Sequence, residues 1–184
     1  VRSSVLTLMY DDNHKCNITI SQEAAPSSAD KLIKVIGGEA TSEETQGKDT
    51  DQNPLTLKMS YDGNKKTYFN SAFGQVSYPF SIRYELEKGH TLNSIVYTPR
   101  TDSGNKWGSF DQFTVEVSTA DKPDDFVKIG DYARGNGVHT PFTIKLSKPV
   151  EDAKFVRFII NKAYEDRVSC AEMEFYEASS NKFD

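Results

Sequence analysis

Residues 79–86 read Pro-Phe-Ser-Ile-Arg-Tyr-Glu-Leu, and they alternate strictly: Phe80, Ile82, Tyr84 and Leu86 point to one side of an extended chain, Ser81, Arg83 and Glu85 to the other. The same period of two recurs in NSIVYTP (93–99), FDQFTVEVS (110–118), DFVKIGDY (125–132), PFTIKLS (141–147), KFVRFII (154–160) and AEMEFY (171–176). Phe113, Val115 and Val117 form a second core-facing set, and Phe142, Ile144 and Leu146 a third. About eight short strands separated by polar, Gly or Pro punctuation predict an all-β chain, an antiparallel β-sandwich or jelly roll.

Nothing in the chain competes as a helix. TSEETQGKDTDQ (41–52) is polar all round and contains a glycine, so it reads as a loop, and GDYARGNG (130–137) reads as a turn between two strand-like runs. Upstream, Val5–Tyr10 and Lys15–Ser21 form a short N-terminal β-hairpin around DDNH, followed by the linker-like AAPSSA (24–29). The organisation expected is a hairpin and linker at 1–28, one main domain at 29–179 and a tail at 180–184.

Composition narrows the function classes. The chain has 184 residues, a formal charge of -5 and scattered basic residues, which argues against a nucleic-acid surface. No apolar run is long enough for a transmembrane helix. Cys16 and Cys170 are the only cysteines; they build neither a disulfide framework nor a zinc cluster, and two separate buried thiols are expected. His14, His90 and His139 stand apart in turn-like segments without metal-binding spacing, and no nucleophile elbow, Walker loop or dinucleotide fingerprint occurs. No pair of carboxylates stands out as a catalytic acid and base, so no enzymatic activity is expected.

Two segments carry more information. In KMSYDGNKKTYFNS (58–71), Asp62, Asn64 and Thr67 fall two and three residues apart around a glycine, which suits either an Asx-type turn or an oxygen cage for a hard cation. In CAEMEFY (170–176), Met173 and Phe175 share the core-facing parity, so Glu172 and Glu174 face the other way.

Taken in order, the DGNxxT bend with its aromatic pair, YTPR (97–100) and the closing AEMEFY strand resemble the discoidin or coagulation factor 5/8 type C superfamily, nearest to bacterial family 32 carbohydrate-binding modules. The resemblance spans residues 30 to 178. It implies a galactose-binding-domain-like jelly roll and a structural calcium ion held by Met59 and Ala171 through main-chain oxygen and by Asp62, Asn64, Thr67 and Glu172. It also implies a non-catalytic module that binds glycans ending in galactose or N-acetylhexosamine, weakly and without membrane insertion. Such a module is a monomeric part of a longer secreted or cell-surface protein.

Among candidate sugar contacts, Arg100 in YTPR matches best, its alternative being an ion pair with Asp102. Asn70 stands where relatives often carry histidine, a departure that bears on galactose contact. Trp107 is a platform or a plug for the sandwich end, Tyr164 a stacking aromatic or a bland partly exposed one, and Asn105 and Asn161 are further loop candidates. KCNITISQEAAP (15–26) resembles the last strand of a BACON module of gut Bacteroidetes proteins, where an M60-like peptidase or a glycoside hydrolase is an expected neighbour. The competing functions are a discoidin-like adhesion domain and a spacer without a binding site.

Overall fold

The structure is a computed structural model that describes residues 2–11, 14–22, 30–74, 76–100 and 106–178. It divides into two compact units, 1–30 and 31–184. In the first, β1 (Arg2–Asp11) and β2 (His14–Gln22) pair antiparallel with Leu6 opposite Ile18.

In the second unit the alternating segments form two antiparallel sheets. One has five strands in the order β11 (Val127–Ala133), β10 (Phe110–Thr119), β13 (Ala153–Ala163), β8 (Phe80–Leu86) and β4 (Val35–Ala40). The other has four, in the order β12 (Phe142–Val150), β9 (Leu92–Thr98), β15 (Glu172–Glu177) and β3 (Lys31–Ile33). The last long strand therefore pairs with the first of this unit, Phe175 opposite Ile33, which draws distant parts of the sequence together.

Period-two patterning is what fills the space between the sheets. Phe80, Ile82, Tyr84 and Leu86 are buried, as are Phe113, Val115, Val117, Ile144 and Leu146. Tyr97 stacks on Phe110 with ring centroids 4.1 Å apart, and Tyr84 meets Phe158 edge to face at 6.1 Å. Each such side chain contributes roughly 1.5–3 kcal/mol on burial. The buried Tyr84 hydroxyl is matched by Ser60 Oγ at 2.9 Å, so the ring is accommodated without an orphaned polar atom.

Two expectations need correction. The 41–52 segment is not simply a loop: β5 (Glu44–Lys48) pairs with β6 (Pro54–Leu55). The reason is Glu44, whose buried carboxylate accepts the backbone N–H groups of Gln46, Gly47 and Phe73, a network that a hydropathy pattern does not register. Likewise Gly130–Ala133 belong to β11 and only the following residues turn, because Tyr132 stacks on Phe113 and so carries the strand on. Cys170 is a free, fully buried thiol.

Candidate functional site

The bend after the 3-10 turn Leu57–Ser60 is built from local polar contacts. Asp62 Oδ1 accepts the Asn64 N–H at 2.8 Å, and Asn64 Oδ1 accepts the Lys66 N–H at 3.1 Å. The single hydroxyl proton of Thr67 is shared between Asp62 Oδ2 and the Asn64 carbonyl, both at 2.8 Å. These are Asx-type turns, and they leave a concentration of oxygen atoms at the bend.

The closing strand meets this bend. Gly63 N–H donates to Glu172 Oε1 at 3.3 Å across 109 positions of sequence. Glu172 is only 4% exposed, and its Oε2 has no hydrogen-bond partner. Burial, reinforced by the Asp62 and Glu174 charges against the Gly63 N–H, pushes its carboxyl from 4.5 up to about 7. Thr98, directly across the ladder from Glu172, also keeps a buried hydroxyl without a partner. Lys65 is engaged by Glu174 at 2.8 Å. Ala171 lies fully buried next to Glu172 and donates its N–H to the Thr98 carbonyl, while Met59 sits half-buried in the 3-10 turn.

Two carboxylates converging with amide, hydroxyl and main-chain oxygens, and an orphaned buried oxygen among them, make a donor set for a hard cation. Among the described residues no group of three or more His, Cys, Asp or Glu side chains is placed to hold a metal.

A second cluster lies where other loops meet the short pair β7 (Phe69–Asn70) and β14 (Ser169–Cys170). Gly108 N–H donates to the Tyr164 carbonyl, Ser169 N–H to the Gly108 carbonyl, and Ser169 Oγ to the Trp107 carbonyl at 2.5 Å. Ser71 N–H and the Val168 carbonyl close a further link at 2.8 Å. Gly108 has φ +80°, and a Cβ there would come within 2.5 Å of Ser169 N, so the crossing requires glycine.

Trp107 is presented on this frame with 44% exposure and Phe73 with 57%. The Arg167 guanidinium lies 5.0 Å from the Trp107 ring and 5.7 Å from the Phe73 ring, so one cation faces two exposed aromatics. The Phe73 ring packs on the bare backbone of Gly47, where a Cβ would approach to 2.7 Å.

The other anticipated contacts are distributed unevenly. Tyr164 is half-buried beside Gly137, and its hydroxyl bonds Glu165, which raises the phenol's pKa. Arg100 is 9% exposed and lies 4.0 Å over the Tyr68 ring, toward the oxygen-rich bend. Asn70 is completely buried: Nδ2 donates to the Ser71 carbonyl and Oδ1 has no partner, so direct contact with a sugar is closed to it in this arrangement. Asn161 is exposed on β13 at a register shift against β10, and Asn105 and Asp102 lie outside the described residues.

Phe73 and Arg167 were not among the expected contacts. Phe73 stands beside Gly74 in a small-residue bend and Arg167 ends the NKAYEDR loop, signals that acquire meaning only once the loops are brought together.

The F5/8 type C domain model matches residues 39–174. The chain belongs to the F5/8 type C domain family. The match takes in the oxygen-rich bend, the Trp107 loop and the closing strand through Glu174. Solved structures share the fold of this F5/8 type C domain. A Clostridium perfringens CBM32 domain, in complex with GalNAc-β-1,3-galactose, is similar at TM-score 0.61 and 24% identity, over 76% of this chain and 94% of that one. The family 32 CBM of C. perfringens NanJ, in complex with galactose, gives TM-score 0.64 and 22% identity, over 77% and 93%. An F5/8 type C domain of a Bacteroides fragilis protein gives TM-score 0.59 and 13% identity, over 83% and 99%. No curated protein matches the chain.

Proposed function

We propose that this F5/8 type C domain is a non-catalytic carbohydrate-binding module that recognises glycans ending in galactose or N-acetylhexosamine and targets a larger exported protein to them. The observation that carries the reading is the exposed Trp107 ring, held by the Gly108–Ser169 crossing and flanked by the Arg167 guanidinium. An aromatic face takes the apolar side of a pyranose, and a planar fork of donors takes its hydroxyls. The sugar complexes of the two C. perfringens relatives support the same choice of ligand class. Among the described residues no helix is long and apolar enough to cross a membrane.

The reading includes a structural calcium ion. Asp62, Asn64, Thr67 and Glu172, with main-chain oxygen of Met59 and Ala171, are the residues that would hold it, and its charge would offset the crowded carboxylates. The buried, partnerless Glu172 Oε2 supports this assignment.

Trp107 is the only tryptophan, so its emission reports the site directly. Titration with galactose and N-acetylgalactosamine should give a saturable change in that emission. Trp107→Ala should abolish binding by calorimetry while the melting transition persists. Absence of any saturable response to either sugar at millimolar concentration removes the proposal.

A further inference from the structure

The Trp107 corner carries more positive charge than a neutral sugar needs. Arg167 is half-buried between two exposed rings, and no carboxylate among the described residues lies within ion-pair distance of it. Lys106 precedes Trp107, its stem sharing the Gly137 surface with the Tyr164 ring, and it too has no ion-pair partner among those residues. Of the carboxylates beside this corner, Glu44 is spent on the Gln46, Gly47 and Phe73 N–H groups, and Glu165 acts on the Tyr164 phenol, whose pKa it raises. Several cations on the sheet surfaces are, by contrast, paired, although Arg134, which also faces two aromatic rings, is not among them. Arg157 is paired with Glu116, Lys154 with Glu85, Lys162 with Asp111 and Arg83 with Glu39.

A guanidinium held near two aromatic rings and without an ion-pair partner keeps N–H donors for another partner. That fork matches the two oxygens of a carboxylate, or two of a sulfate ester, better than it matches a single hydroxyl. The Trp107 ring beside it offers an exposed face for the pyranose that bears the anion. The geometry points to an anionic-sugar subsite: Trp107 stacks the ring, and Arg167, flanked by Phe73 and aided by Lys106, receives a carboxylate or sulfate carried on it. This rests on the carbohydrate-binding reading above and specifies the ligand class of the same corner.

The test is a calorimetric titration of the full chain with methyl β-galactoside, methyl β-galacturonoside and methyl β-galactoside 6-sulfate, at low and high salt. At least one anionic sugar should bind on the order of tenfold more tightly than the neutral one. The preference should shrink as salt screens it. Arg167→Gln should erase the preference, weakening the anionic sugars by more than the neutral one until all three bind alike, whereas Arg167→Lys, which keeps charge without the fork, should retain only part of it. The carboxylate and sulfate arms tell which anion is meant. Equal affinity for all three sugars, or a preference that survives in Arg167→Gln, overturns the inference while leaving the module a sugar binder. Loss of response to every sugar removes the carbohydrate reading itself. Binding to phosphatidylserine vesicles in place of any sugar assigns the corner to a membrane and overturns both.

Discussion

Glu172 shows how a single carboxylate links the sheet to the bend. Its alternation partners Met173 and Phe175 are core residues, which leaves the acid on the outer face, where the Asp62 bend covers it. Burial and the neighbouring charges hold its carboxyl near 7, above the 4.5 of an ordinary glutamate. A group whose pKa rises on folding favours the folded state while it is protonated. Metal-free protein should therefore be most stable at low pH on this account and lose that contribution as pH climbs through the interval from 4.5 to about 7. Calcium, if bound there, competes with that proton, so its stabilising effect should weaken below neutrality. Melting curves in chelator and in calcium across this range check both directions. Glu172→Gln should lose the calcium-induced rise in melting temperature yet be at least as stable as the parent in chelator at pH 8, because it removes an uncompensated charge. A parent protein that melts identically in chelator and calcium at pH 8 would sink the metal assignment.

Among the elements, the long alternating strands were legible, whereas β5, β6 and the crossings between distant loops were not. Alternation locates β8, β10 and β13 because their buried faces are continuous hydrophobic sets that a one-residue slip would turn outward. The Asp62–Thr67 bend was legible as a cluster of oxygen donors, since Asx turns are written in adjacent residues. Phe73 and Arg167 were not, because their role depends on Gly47 beneath the ring and on a crossing between loops far apart in sequence. Asn70 is proposed from the position where relatives often carry histidine, and a position in sequence does not show that the pairing of β7 with β14 buries it. Gly108 tests how tightly this frame is set. An alanine there meets both a positive φ and the Ser169 backbone, so Gly108→Ala should cost about 2 kcal/mol or more. The loss should appear as a lower denaturant midpoint, together with weakened response of Trp107 to sugar. A variant as stable as the parent would mean that the crossing yields easily.

At the scale of the molecule, the aromatic core and the oxygen-rich bend are distinct sources of stability, and their independence can be measured. Phe113 packs against Phe110, Tyr132, Phe142 and Phe158 between the sheets. None of these residues belongs to the bend or to Glu172 and its hydrogen bonds. Truncation to alanine should cost about 3–5 kcal/mol through lost contacts and a residual cavity. Calcium at a hundredfold excess over its dissociation constant should return about 2.7 kcal/mol, since it binds the folded chain alone. Because the two sites share no partners, the effects should add, and calcium should raise the unfolding free energy of Phe113→Ala by the same amount as that of the parent. Denaturant unfolding of both proteins, with and without the ion, closes this cycle. A calcium effect that vanishes in the Phe113 variant would mean that the cation site exists only when the sheets are fully packed, so that the bend reports on the core instead of standing beside it.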